Sequence, residues 1–272
     1  IMTPPSSHQV IAEKFIEKNV HVISDKPFAG NLEQAKKLYR KIKANKKIKY
    51  ALTHNYSAYP MVREAKKLVE KGKIGKVEYV NVEYIQDWSG GTKINSKNAK
   101  RKLKWKIDNK IVGASAVLNE IGTHAYHLAS YISGLRGQTV FADIKQISKK
   151  IKMDDNAQVM INFNNGAKGM FWTNVMARGG VYGLRIRVFG TKGSLEWVQN
   201  DPNYLKLKEE IAELDKLIVF EKEEVKTTKS RTVIASVKIS LVRMPTPFKS
   251  PWQESSTTLT SQLPLSINAS GS

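Results

Sequence analysis

Three side chains on one stretch of the sequence, Glu120, His124 and His127, are the first candidates for chemistry. Offsets of four and three residues bring all three onto one stripe of an α-helix. Ile121, Ala125 and Leu128 form the adjoining apolar stripe, which would turn that face inward. A carboxylate one turn before an imidazole can orient it and stabilise its protonated form, as a general base requires. The same residues also read as satisfied polar groups at a helix junction. They read less well as zinc ligands, because three ligands on one straight helix converge poorly on a single ion. Lys26 stands between a β-branched run and Pro27, where a parallel sheet presents its functional loops, although on its own it reads as a surface charge. Thr3-Pro4-Pro5 precedes a helix and could offer backbone amides to a phosphate or ribose. His54-Asn55-Tyr56 closes a strand and could face the same cleft, or His54 could be a buried, satisfied core residue.

The elements that would place these groups follow from periodicity. Val10, Ile11, Phe15 and Ile16 share one face of a helix over 8–19, and His21-Val22-Ile23-Ser24 reads as a short strand. A helix over Leu32–Lys43 and a strand Tyr50-Ala51-Leu52-Thr53 follow, and this alternation marks a parallel α/β sheet. Pro60 to Gly72 is helical again, and Val77 to Ile85 alternates as a long strand. The stretch 86–112 is polar, basic and irregular, of the length that functional loops take. After a helix over 117–132 come strands Val140–Ile147, Ala157–Phe163 and Lys168–Val175, the last two joined at the turn signal Asn165-Gly166. Arg185–Phe189 and Ser194–Val198 pair across Gly190-Thr191-Lys192-Gly193. The expected fold is α/β: the C-terminal part of a Rossmann domain, then an α/β domain with a mostly antiparallel open sheet and helices on one face.

Composition narrows the function classes. The 272 residues, 41% hydrophobic and 25% charged, are those of a globular chain. There is no cysteine, hence no disulfide scaffold and no thiolate site, which fits a reducing cytoplasm. No apolar run reaches membrane-spanning length, so no membrane partner is expected. The net charge of +21 invites a nucleic-acid reading, but the lysines are spread along the chain among acids. Even the densest run, Lys97 to Lys110 around Trp105, reads first as solvated surface. No G-x-G-x-x-G, P-loop or G-x-S-x-G motif occurs. Residues 227–272 are rich in Ser and Thr with a single acid, Glu254, and read as a poorly ordered tail.

Taken in order, four segments resemble the Gfo/Idh/MocA family of NAD(P)-dependent oxidoreductases. Thr3-Pro4-Pro5-Ser6-Ser7-His8 is similar to the family's TP-x-x-x-H segment, and His21 through Pro27 resembles HV-x-x-EKP. Glu120-Ile121-Gly122-Thr123-His124 is similar to D-x-G-x-H, and Gly190 through Glu196 to the G-x-x-G-x-x-E hairpin. The resemblance covers residues 1–205. It implies hydride transfer between a nicotinamide (NAD or NADP) and a hydroxyl-bearing carbon of a sugar, polyol or inositol-like substrate. It implies Lys26, Glu120 and His124 as catalytic residues, with His124 the base. Thr3, Pro4, His8, Asp25 and Lys26 would line the cofactor, and His54, Tyr56 and His127 the substrate; no metal is implied. The open sheet implies a homo-oligomer of the full-length protein, and the alternative is a non-catalytic relative that binds a sugar or a partner protein. Asp25 and Glu120 each differ from the family's acid by one methylene. The domains expected are a partial dinucleotide-binding unit over 1–54, a substrate and oligomerisation domain over 55–226, and the divergent tail. On this reading the chain is an N-terminally truncated fragment, inactive alone.

Overall fold

The computed structural model describes residues 1–88, 106, 108–149, 152–179 and 183–209, and the backbone of 216–222 and 237–243. Most of the irregular stretch 86–112 and of the tail after 227 lies outside these residues.

Pro5 opens helix α1 (Pro5–Glu17) at the position where its missing N–H costs nothing, and Ala12 and Ile16 point inward. Strand β1 (Val22–Asp25), helix α2 (Leu32–Ala44) and strand β2 (Tyr50–Thr53) form a parallel crossover. Val22 is opposite Tyr50, and Asp25 opposite Thr53. Asn31 caps α2, its side-chain oxygen accepting from Gln34 N at 2.9 Å. Lys26 and His54 each follow the carboxyl end of one of these strands, the edge on which a parallel sheet exposes its loops.

A 3-10 turn (Asn55–Ala58) leads into helix α3 (Pro60–Glu70) and strand β3 (Val77–Ile85). Beyond the short helix α4 (Asn109–Val112), the expected single helix is in fact a π-helical turn, Leu118–Gly122, running into helix α5 (Thr123–Ser133). Gly134 ends α5 in the left-handed conformation, φ 71°. The remaining strands are β4 (Gly137–Lys145), β5 (Asn156–Phe163), β6 (Lys168–Asn174), β7 (Gly183–Gly190), β8 (Gly193–Val198), β9 (Tyr204–Glu209), β10 (Lys216–Lys222) and β11 (Val237–Arg243). With β3 they form one nine-stranded sheet in the order β11-β10-β9-β8-β7-β3-β6-β5-β4. Only the β3–β6 pair is parallel, so the expected mostly antiparallel sheet is what forms.

Helices α3 and α5 cover one face. Val80, Val82 and Tyr84 of β3, Leu184, Ile186 and Val188 of β7, and Trp197 of β8 pack against them in the principal core. Among the described residues the other face is open, with Phe141, Met160 and Met170 exposed. Strand β11 lies within the segment expected to be without regular structure: Val237, Ile239 and Leu241 alternate with Lys238 and Ser240 there, a period of two that a high Ser and Thr content conceals.

Candidate functional site

Asp154 anchors the start of the segment that carries the chemistry. Its carboxylate accepts from Ala116 N and Val117 N, each at 3.0 Å, and from Ser115 Oγ at 2.7 Å. An acid at that end satisfies amides that lack helical partners and complements the helix dipole. The π turn that follows widens the helix by one residue. Glu120 lies within that turn, and His124 follows it.

Glu120 pairs with two ammonium groups. Lys26 Nζ lies 3.5 Å from Glu120 Oε2 and donates to the Glu120 carbonyl oxygen at 2.5 Å, while Lys106 Nζ contacts Oε1. Burial works against the charged carboxylate, but these two cations hold Glu120 below the usual range. Burial also lowers the proton affinity of Lys26, helped by the Lys106 charge and opposed by Glu120 and Asp25. Asp25 is itself engaged, accepting from Thr53 Oγ1 at 2.6 Å and from Lys26 N at 3.0 Å. Those bonds keep its carboxyl low in spite of burial.

His124 is 7% exposed and sits among rings. Tyr56 lies edge-on at 4.8 Å between centroids, His54 at 5.9 Å and Tyr84 at 6.2 Å. His54 stacks flat on His127, at 3.9 Å and 6°. The imidazole expected to act as the base is held in its neutral form, and Glu120 is only one of the charges around it. Burial, then the charge of Lys26 and the neighbouring His54, push His124 down to about 3; burial, His127 and Lys26 push His54 to about 4. Burial lowers His127 as well. All three imidazoles are neutral at pH 7. The Nδ1 atoms of His124 and His54 are buried with no partner among the described residues. Such atoms are what a bound polar group would satisfy.

The structure thus brings Lys26, His54, Tyr56, Glu120, His124 and His127 together. Thr3 and His8 lie behind the Lys26 loop. The ring nitrogens of His8, itself fully buried, lie 2.8 Å from Pro27 O and 2.7 Å from Thr3 O, so both face backbone carbonyls. Thr3 Oγ1 accepts from Ser7 Oγ at 2.7 Å. Three participants escaped the sequence reading. Tyr84 shares a hydroxyl contact of 2.5 Å with Tyr56, and its own hydroxyl is kept protonated by burial. Gln199 Nε2 donates to Tyr56 Oη at 3.4 Å. The inward register of Val80, Val82 and Tyr84 could have revealed the first; nothing local marks Gln199. Lys106, the third, belongs to the run read as solvated surface.

Comparison with known proteins is consistent along the chain. Residues 1–54 match the model described as an oxidoreductase family with an NAD-binding Rossmann fold, and residues 62–196 match the GFO/IDH/MocA C-terminal domain. The protein YfiI of Bacillus subtilis, an uncharacterized oxidoreductase, is 31% identical over 211 residues, which are 75% of this chain and 52% of that protein. Levoglucosan dehydrogenase of Pseudarthrobacter phenanthrenivorans is 30% identical over 217 residues, 72% of this chain and 53% of the enzyme. The crystal structure of an inositol dehydrogenase homolog from Azotobacter vinelandii, complexed with NAD+, superposes with a TM-score of 0.73 at 25% identity. That match covers 80% of this chain and 55% of the other. The chain spans about half the length of the curated relatives it matches. With both domain models in sequence order and the fold to match, the chain belongs to the Gfo/Idh/MocA oxidoreductase family.

Proposed function

We propose that this chain supplies the catalytic centre of an NAD(P)-dependent dehydrogenase acting on a hydroxyl-bearing carbon of a sugar, polyol or inositol-like substrate. The observation that carries this reading is the convergence of a buried neutral imidazole, His124, with the ammonium of Lys26 at the carboxyl edge of a parallel sheet. Family membership and the relatives' dehydrogenase names support it. The unpartnered Nδ1 atoms of His124 and His54 fit a site that receives polar ligands.

When bound, the nicotinamide would take up or give the hydride. The protein's own part is the proton and the position. A neutral imidazole is in the form that accepts a proton, so His124 takes it from the reacting hydroxyl. Lys26, paired with Glu120, donates a hydrogen bond to the same oxygen as negative charge develops on it. His54, Tyr56 and His127 wall the substrate side, and Thr3, Pro4 and Asp25 the cofactor side. His8, whose ring nitrogens face the carbonyl oxygens of Pro27 and Thr3, supports the Lys26 loop on the cofactor side.

The test is a chimera carrying the N-terminal part of the Bacillus relative ahead of Ile1, assayed for NAD and NADP reduction with a panel of polyols and sugars. Reduction with at least one substrate is expected, and His124→Ala should cut turnover by roughly 10²–10⁴-fold with cofactor affinity little changed. No reduction across the panel would sink the dehydrogenase reading, and near-normal turnover in the variant would sink His124 as base. We also propose that the open sheet face, with Phe141, Met160 and Met170 exposed, joins copies of the chain. Phe141→Glu should then lower the mass measured by sedimentation; a mass unchanged from that of the parent chain would refute it.

A further inference from the structure

One lysine of the basic run does not behave as solvated surface. The Lys106 side chain is 26% exposed, its ammonium contacts Glu120 Oε1, and it lies 5.4 Å from the centre of the Trp88 ring. Lys26 takes the other oxygen of the same carboxylate, at 3.5 Å. A carboxylate held by a single cation can swing about its last torsion and still keep the contact. With one ammonium on each oxygen it cannot turn without losing a charge-assisted bond. The Trp88 face attracts the Lys106 cation in turn and limits where that ammonium can go.

We propose that Lys106 is a positioning residue: it fixes Glu120, and through Glu120 it holds the ammonium of Lys26 in place beside a second positive charge. The purpose rests on the dehydrogenase reading above; the geometry does not. Lys26 faces the anions Glu120 and Asp25, the cation Lys106, and the neutral imidazoles of His54 and His124. Lys106 therefore adds to burial in loosening the Lys26 proton, against the pull of Glu120. A less tightly held proton makes a stronger hydrogen bond to an oxygen that is gaining negative charge. Removing either neighbour should change Lys26 in opposite directions, which mere loosening of the site would not do.

Competitive acetylation of the whole chain with limiting acetic anhydride over a pH series, read by peptide mass, reports each lysine separately. At a fixed pH below its midpoint, the reactivity of Lys26 tracks its unprotonated fraction. Lys106→Met should lower that reactivity by roughly three- to tenfold, whereas Lys106→Arg, which keeps the charge, should stay within about twofold. Glu120→Gln should raise it by a similar factor. Circular dichroism melts establish that each variant is folded, and Lys106→Gln replaces the Met variant if that one is not. Lys26 reactivity that is unchanged or raised in Lys106→Met would overturn the proposal. No turnover enters this readout, so a failed substrate panel would remove the dehydrogenase reading and leave the role of Lys106 standing or falling by itself.

Discussion

The parallel two-stranded unit and the nine-stranded sheet contribute half of the site each, but they stand on unequal foundations. In the first, Ala12, Ile16, Val22, Leu38 and Ile48 are the buried apolar cluster, and Ile23, Val10 and Leu32 face solvent. In the second, a continuous core extends from Tyr56 through the inward faces of β3, β5, β6, β7, β8 and β9 to Leu207. Lys26 and His54 hang from the smaller unit, and Glu120 and His124 from the larger. Local opening starts where few apolar contacts are buried. The site's geometry is consequently decided at the seam, where Lys26 meets Glu120 and His54 meets His127 and His124.

The largest effects should come from the two cores, and they should differ in reach. Trp197 is 1% exposed, lies tilted against the Tyr59 ring and donates from Nε1 to Pro202 O at 3.1 Å. Trp197→Ala should cost about 3–5 kcal/mol and lower amide protection in the whole chain. Leu38 is fully buried under α1, and Leu38→Ala should cost about 2–5 kcal/mol, felt first in β1 and β2. Hydrogen exchange separates the outcomes: faster amides in β1 and β2 with β7 and β8 unchanged support two units of unequal strength. Equal loss of protection in both would show one cooperative unit and break the comparison.

The same inequality explains what the sequence could show. Strand-helix-strand alternation before residue 54 and the Asn165-Gly166 turn are local signals, and the elements they announce are there. Lys26, Glu120 and His124 were legible as motif residues, whereas Tyr84, Gln199 and Lys106 were not. The site's wiring was not legible either. Glu120 and His124 have ideal helical spacing, but the π turn that holds Glu120 has no period of its own to read. Lys106 looks like its basic neighbours because only the fold brings Trp88 and Glu120 to it. The β11 strand was hidden by composition, since alternation over seven residues is weak against a Ser- and Thr-rich background.

An intermediate effect tests the seam directly. Gly113 follows α4 with φ +94°, and a Cβ there would lie 1.9 Å from the carbonyl oxygen of Gly30 and 2.8 Å from Asn119 Nδ2. Backbone therefore packs on backbone between the loop that follows Lys26 and the segment that leads to Glu120. Gly113→Ala should cost about 1–3 kcal/mol for the left-handed conformation alone, and more for the displaced neighbours. Its signature should be an altered Lys26 environment, seen as a change in Lys26 acetylation. Stability lost with Lys26 unaffected would place the strain outside the seam.

The smallest effect is in pH, and it isolates the histidines that both units share. His124 and His54 are pushed down to about 3 and about 4 from an ordinary value of 6.5, so between those limits the unfolded chain binds protons that the folded chain refuses. Stability therefore falls as pH drops below about 6.5, by roughly 1 kcal/mol per histidine at pH 5.5. The carboxylates act elsewhere. Glu120, Asp25, Glu13 and Glu196 are held below their ordinary values, so the stability they contribute is present above about 4.5 and is lost only below it. Melting temperatures measured from pH 7 to 5 thus report chiefly the imidazoles. His54→Phe keeps a flat ring against His127 but cannot titrate, and its melting temperature should fall less steeply over that range by about one proton's worth of slope. A slope as steep as that of the parent chain would mean that His54 takes up its proton while folded, and would place the acid sensitivity in one unit rather than at the seam.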